Sequence, residues 1–366
     1  VVDDDPGLLR ALSRILGKPF QVTSAGDGAR ALEVAQAERP DLAIVDIRLP
    51  DMTGFEVTRG IKGKVSDVDV ILMTGNSEDP DESLIRAIDE GAFYFIQKPF
   101  DRRVLLALVG RCLELRGLRL ERERYLKRVA RELEEARRFQ RSLLPAGRLE
   151  SAGLQVEARY LACSELAGDF YDYVELRDGS VGVLIADVVG HGASAAMMTS
   201  LVKASFRAAM EKNPDPGAVV KGIGEGLRDF EAGHFVTLCY GLITQERDEF
   251  WYANAGHPAA ILRRGSGGHE LLEATGPIVS SAFLDRAHEP ERKQLEAGDC
   301  ILMYTDGLTE SPGPGGLFGE GRLIASVLEG NRQGHALLEG ILAEREAFAG
   351  TRTIRDDITL VVLSVG

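Results

Sequence analysis

Aspartates in this sequence recur where apolar runs stop. Near the start, Asp3, Asp4 and Asp5 follow Val1-Val2, Asp46 closes the run 42–46, Thr74 closes 70–74, and Lys98 follows 93–97 just before Pro99. Carboxylates brought together without a cation repel one another and raise each other's pKa, so such a cluster calls for a hard divalent ion, here one Mg²⁺. With an ammonium from Lys98 and a hydroxyl from Thr74 beside it, a carboxylate can attack a phosphoryl group and have the added charge neutralised. One strand-terminal aspartate is more often a turn residue or helix cap. Four suitable placements together make that explanation poor.

A second acidic set lies further on. Asp169 stands in Ala-Gly-Asp-Phe-Tyr-Asp, Asp187 in Ala-Asp-Val-Val-Gly-His-Gly, Asp306 in Tyr-Thr-Asp-Gly-Leu-Thr-Glu, and Asp356 and Asp357 in Arg-Asp-Asp-Ile-Thr. Carboxylates and backbone carbonyls suit Mg²⁺ or Mn²⁺, whereas zinc would ask for clustered Cys and His. Two such ions sharing a carboxylate acidify a bridging water and aim it at phosphorus, so hydrolysis needs no protein nucleophile. A single Asp-Gly pair is usually a plain turn; three motifs of this kind are harder to dismiss. His191, beside Asp187, is a candidate proton donor to a leaving oxygen, with phosphate contact or packing as alternatives. His257 reads as structural, orienting its turn by hydrogen bonds, and Met197 and Met198 read as helix core.

For these residues to meet, strand ends must converge. The opening residues and the runs 21–25, 42–46, 70–74 and 93–97, separated by amphipathic stretches such as 6–16 and 81–90, predict a doubly wound five-stranded parallel sheet whose strand C-termini share one edge. From 113 to 144 there is no Pro and Arg and Glu are dense. A 3-4 spacing runs through Leu115, Leu118, Arg122, Tyr125, Val129, Glu132, Ala136, Phe139 and Leu143, which predicts a long helix with a coiled-coil seam, about 50 Å in length. Ten Lys/Arg against six Glu set 113–145 apart from its acidic flanks. Beyond Pro145, short strands, turn signals and the helical stretches 193–210 and 216–230 predict an α+β domain with largely antiparallel sheets, with 311–316 as a loop. The expected domains are therefore 1–112, 113–145 and 146–366.

The motifs Val-Val-Asp-Asp-Asp-Pro, Val-Asp-Ile-Arg-Leu-Pro-Asp-Met-Thr-Gly, Leu-Met-Thr-Gly and Gln-Lys-Pro-Phe resemble the receiver domain of two-component response regulators. The resemblance implies that Asp46 accepts a phosphoryl group, that Asp3, Asp4, Asp46 and the Arg48 carbonyl hold Mg²⁺, that Thr74 and Lys98 contact the phosphate, and that Phe95 is the aromatic switch. Residues 140–366 look like bacterial PPM (PP2C-like) serine/threonine phosphatases of the stress- and sporulation-regulator type. This rests on the aspartate motifs together with Gln-Arg-Ser-Leu-Leu-Pro, Asn-Ala-Gly-His-Pro and Phe318-Gly319. It implies a sandwich of two antiparallel sheets flanked by helices, with two Mn²⁺ or Mg²⁺ held by Asp187, the Val188 carbonyl, Asp306 and Asp356, and by Asp169 through water. It also implies that 193–210 and 216–230 form a switch completing the metal site. Ala167, and Pro277-Ile278-Val279-Ser280, depart from the family pattern in loops rather than ligands.

With 43 Lys plus Arg against 57 Asp plus Glu the net charge is −14, which argues against nucleic acid as a partner. The cysteines Cys112, Cys163, Cys239 and Cys300 form no CxxC pair, and no apolar run approaches the roughly 18 residues that span a bilayer, so a cytoplasmic protein without a membrane partner is expected. The chain opens inside a strand pattern without Met, so residues are expected upstream. The reading is a response regulator whose output is dephosphorylation of a phosphoserine or phosphothreonine protein under control of Asp46. Its phosphodonor is a cognate histidine kinase, its substrate is a STAS-type anti-sigma-factor antagonist as the family suggests, and a homodimer forms through the linker. The competing reading is an adaptor with an inactive phosphatase-like domain; Asp187, Asp306 and Asp356 argue against it, because a scaffold gains little from unneutralised buried acids.

Overall fold

The structure, a computed structural model, describes residues 1–65, 67–75, 90, 92–190, 192–231 and 233–366. Most of the amphipathic stretch 81–90, and His191, lie outside the described residues. The chain divides into two compact units, Val1–Val129 and Ala130–Gly366.

In the first unit the strands Leu42–Asp46, Asp69–Thr74 and Tyr94–Gln97 pair in parallel, in that spatial order. Two further positions are occupied by single parallel bridges from Val2 to Val45 on one side and to Ala25 on the other. The order across the sheet is thus that of five strands, with the first two reduced to one bridging residue each. Alternation decides which face each side chain takes. Ala43, Val45, Val70 and Leu72 pack with Ala31, Ala35, Phe55 and Ile61 from the helices Gly28–Glu38 and Gly54–Lys64. Ile44, Ile71 and Met73 pack on the other face with Leu12 and Leu16 of the helix Pro6–Leu16 and with Leu105 and Val109.

Leu105 and Val109 open a single helix, Arg102–Leu143, that runs without a break through the predicted domain boundary at 112. The boundary between the compact units falls inside this helix. Its early turns are bound to the rest of the first unit: Arg116 donates to Asp41 at 3.2 Å and to Asp67 at 3.0 Å, and Arg119 pairs with Asp69. Past those residues Tyr125, Leu126 and Phe139 are exposed. Among the described residues no helix is long and apolar enough to cross a membrane.

The second unit is a four-layer sandwich. One sheet contains the strands Leu154–Leu161, Cys300–Tyr304 and Ile358–Val365; the other contains Asp169–Glu175, Val181–Val188, Phe235–Ile243 and Glu249–Ala255, all antiparallel. Between the sheets lie Tyr171, Tyr173, Val183, Ile185, Ile301, Met303, Val361 and Leu363. The alternate residues of the second sheet, including Phe170, Leu184 and Ala186, face the helices Ala193–Lys212 and Pro216–Gly226. Leu302, Leu360 and Val362 face Gly319–Leu328 and Gly334–Ala349. Three details correct the sequence reading. The helix predicted over 216–230 ends at Gly226, and the loop predicted over 311–316 takes part in a short ladder of Pro312–Gly313 with Gly316–Leu317. Met198 is core, but Met197 is 75% exposed, because successive helical residues lie about 100° apart and the apolar stripe admits only one of the two.

Candidate active site and phosphoacceptor site

The same two-residue period that fills the core places the acids of the second unit. Asp169 and Asp187 sit at odd positions in register with core residues Tyr171 and Ile185, and they stand directly opposite each other across neighbouring strands. From the facing sheet, Thr305 extends the series of Ile301 and Met303, and Thr359 the series of Val361 and Leu363. Both hydroxyls donate to one oxygen of Asp169, at 2.7 and 2.6 Å, while the Thr359 amide donates to the Thr305 hydroxyl at 2.9 Å. These threonines were missed as site residues by sequence reasoning, although each stands beside an aspartate motif on the core period.

Two glycines bring the remaining oxygens in. A Cβ on Gly168 would stand 2.7 Å from the Val188 carbonyl oxygen, 3.2 Å from that of Gly190 and 3.4 Å from Asp187 Oδ1, so a bare backbone is required where these oxygens converge. A Cβ on Gly307 would meet the Asp357 carbonyl at 2.0 Å, so glycine lets the turn carrying Asp306 close on the turn carrying Asp356. Asp357 is committed to backbone, accepting from the Cys163 and Gly168 amides at 2.8 Å each. Asp356 accepts the Asp357 amide and stays exposed. Ligand atoms of Asp356, Asp357 and Cys163 lie within 4.8 Å of one another.

The electrostatics follow from burial and crowding. Asp187 is pushed up to about 7, first by burial and then by Asp306, Asp356 and Asp357. Asp169 is held well above the usual carboxylate range by burial and then by Asp187, against the two threonine hydrogen bonds. Asp306 is raised by burial, then by Asp356 and Glu310. Among the described residues no Lys or Arg forms an ion pair with any of these acids. Asp187 and Asp306 lie outside the 4.8 Å group of Cys163, Asp356 and Asp357, while raised carboxylates with no Lys or Arg among the described residues paired to them are what a hard divalent ion fits.

In the first unit the strand ends bring Asp3, Asp4 and Asp46 within 4.8 Å. Here a cation is built in. Lys98 Nζ donates to Asp3 at 2.6 Å and pairs with Asp46 at 3.0 Å. Burial raises Asp46, with Lys98 and the Arg48 backbone amide pulling the other way; Lys98 is itself held up by Asp3 and Asp46 against its own burial. Thr74 is buried at the end of its strand, and its carbonyl accepts from the Lys98 amide at 2.6 Å. Phe95 is half-buried against the core face containing Val45 and Leu72. Gly54 is needed because a Cβ there would lie 2.2 Å from the Asp46 carbonyl oxygen.

The end of the long helix is fastened to the second unit. Gln140 Nε2 donates to the Ala167 carbonyl at 2.7 Å and to Thr199 at 3.2 Å, and Gln140 Oε1 accepts from the Ala167 amide at 3.1 Å. One turn further along the helix Ala193–Lys212, Lys203 donates to the Leu143 carbonyl and pairs with buried Asp172 at 3.4 Å.

A doubly wound acidic unit followed by a four-layer sandwich with carboxylates at one end defines a receiver domain joined to a PP2C-like phosphatase domain. The chain belongs to the Stage II sporulation protein E (SpoIIE) family, whose pattern matches residues 177–366, and the response regulator receiver domain pattern matches residues 1–110. It is similar to phosphoserine phosphatase RsbP of Bacillus subtilis, with 34% identity over 185 residues, 49% of this chain and 45% of that protein. Phosphoserine phosphatase RsbU of Bacillus subtilis is 29% identical over 198 residues, 54% of this chain and 56% of that one. The chain spans about half the length of these curated relatives. The SiaA-PP2C domain of Pseudomonas aeruginosa shares the sandwich fold, with a TM-score of 0.57 at 21% identity over 66% of this chain and 99% of that domain.

Proposed function

We propose that this protein is a response regulator whose output is metal-dependent hydrolysis of a phosphoserine or phosphothreonine protein. The observation that carries the reading is the approach of Asp187 to the Val188 and Gly190 carbonyls at Gly168, and of the Asp306 turn to the Asp356 turn at Gly307, with no Lys or Arg among the described residues paired to these acids. Asp187, the Val188 carbonyl, Asp306 and Asp356 would hold two Mn²⁺ or Mg²⁺, with Asp169 acting through water. Once bound, such ions neutralise phosphoryl oxygens and acidify water for attack on phosphorus. The chain's own part is positioning: Thr305 and Thr359 fix one oxygen of Asp169, Asp357 holds the loop before it, and Gly168 and Gly307 let the backbone close.

The receiver supplies control. Asp46 takes a phosphoryl group from a phosphodonor, with one Mg²⁺ at Asp3, Asp4, Asp46 and the Arg48 carbonyl, and Thr74 and Lys98 engaging the phosphate. The long helix carries the change to Gln140, which holds both the loop before Asp169 and Thr199 of the switch helix. The exposed seam of Tyr125 and Phe139 pairs two copies. Names of relatives such as RsbU and RsbP favour a phosphoserine substrate, here a STAS-type anti-sigma-factor antagonist. The test is release of phosphate from a phosphorylated STAS protein with Mn²⁺, with and without acetyl phosphate. Asp187→Ala should abolish turnover, and Asp46→Ala should leave turnover intact but deaf to the donor. Equal turnover in Asp187→Ala would leave only a docking platform.

A further inference from the structure

Across the site end of the second sheet, Asp169 stands opposite Asp187 and Asp187 opposite Thr237. Directly opposed residues share a face with Cβ atoms about 5 Å apart, so a threonine hydroxyl is placed to compete for Asp187. Asp169 shows what such competition looks like, since one of its oxygens is taken by two threonine hydroxyls. Thr237 is occupied elsewhere: its Oγ1 lies 2.9 Å from Nδ1 of His257.

His257 is 4% exposed, and burial drives its imidazole down to about 3 against a smaller upward pull from the Tyr304 backbone, so the ring is neutral. Its turn does not need the ring. Asn254 Oδ1 accepts from the His257 amide at 2.8 Å, and Asn254 Nδ2 donates to the His257 carbonyl at 3.0 Å. Nδ1 faces the hydroxyl and Nε2 is buried without a hydrogen-bond partner; with the ring proton on Nε2, Nδ1 accepts from Thr237.

We propose that His257 is a positioning residue that draws the Thr237 hydroxyl proton away from Asp187 and so keeps that carboxylate open to a divalent cation. The inference rests on Asp187 being a metal ligand, as in the proposed function. Without the acceptor, Thr237 turns its proton onto Asp187 and competes with the ion.

The test is Mn²⁺ binding by the full chain, read as free Mn²⁺ by electron paramagnetic resonance, with metal-free thermal unfolding to check each variant. H257F should bind about tenfold more weakly, the scale at which groups behind metal ligands act. Thr237→Val alone should bind like wild type, and T237V added to H257F should restore affinity, because no hydroxyl proton is left to compete. His257→Asn, which keeps an acceptor near the Nδ1 position, should stay close to wild type. If H257F does not fold, His257→Gln, whose amide sits near the Nε2 position, takes its place. A double variant as weak as the single one, or an H257F that binds normally, overturns the inference. A wild-type chain that binds no Mn²⁺ overturns the metal reading and this inference with it.

Discussion

Replacing Gln140 with leucine tests whether the long helix and the acidic site are mechanically joined. The side chain is buried and spends its amide on both backbone polar groups of Ala167, itself 0% exposed, and on the Thr199 hydroxyl. Leucine has similar bulk, so little cavity is created, but the Ala167 amide and carbonyl are left without partners. A stranded buried group costs roughly 1–3 kcal/mol. Thr199 loses little, because it also donates to the Ala196 carbonyl at 2.8 Å. Taking the lower end for each stranded group gives a loss of about 2–3 kcal/mol, or about 5–10 °C in the melting temperature of a domain this size. Calorimetry of the full chain reads this in the transition of the second unit. Ala167 leads through Gly168 to Asp169, so Mn²⁺ affinity should fall as well. Gln140→Glu keeps an acceptor for the Ala167 amide but turns an acceptor onto its carbonyl, and should fall between the two. If Gln140→Leu melts within about a degree of wild type and binds Mn²⁺ unchanged, the helix end is only resting on the domain.

Three further outcomes follow. Asp187 is held at about 7 against 3.8 when free, so the folded chain keeps a proton that the unfolded chain loses. Metal-free stability should therefore fall as pH rises from about 4 to about 7 and level off above, by at most about 4 kcal/mol from this group; guanidinium unfolding in EDTA should show that slope and Asp187→Asn should flatten it, whereas a slope unaltered in Asp187→Asn would contradict the burial argument. Lys98→Met removes the cation shared by Asp3 and Asp46, so Asp46 should be raised further and its phosphorylation by acetyl phosphate should slow sharply; labelling as fast as wild type would show that Lys98 is dispensable. Tyr125→Glu with Phe139→Glu should convert a dimer to a monomer in sedimentation equilibrium, and a wild-type monomer would refute pairing through the linker.

What could be read from the sequence was whatever repeats with a period. The apolar runs 181–186 and 358–363 predict strands, and the acid at the end of one and the start of the other marks the site; both hold because a strand between two apolar layers tolerates polar groups only at its end. The long helix was legible from its spacing, but its true start at Arg102 was not, since the receiver's last helix and the linker share one hydrogen-bond ladder with no cap between them. Thr305 and Thr359 escaped, and Gln140 stood out only as the first residue of Gln-Arg-Ser-Leu-Leu-Pro, because their importance lies in partners 136, 190 and 27 residues away. Local pattern carries no information about such pairs, whereas Gly168 and Gly307 look like ordinary turn glycines until the carbonyls they admit are in place.

The two acidic clusters show how one residue type is set to different tasks by what neutralises it. At the receiver edge Lys98 sits between Asp3 and Asp46, so the site is partly balanced before any ion arrives. On the proposed function, a phosphoryl group on Asp46 would bring charge to be met by moving this ammonium or recruiting a neighbour such as Thr74, a shift of groups already in place. At the sandwich end no lysine or arginine among the described residues pairs with Asp187, Asp306 or Asp356, and on the proposed function a bound cation would relieve the repulsion on Asp187. A lysine there would relieve the crowding and remove the affinity for the ion with it. Installing one tests that logic: Thr237→Lys, opposite Asp187, should stabilise the metal-free protein at pH 8 while abolishing Mn²⁺ binding. A variant destabilised to the same extent at pH 5, where Asp187 is protonated, and at pH 8 would show that packing rather than charge governs this end of the sheet.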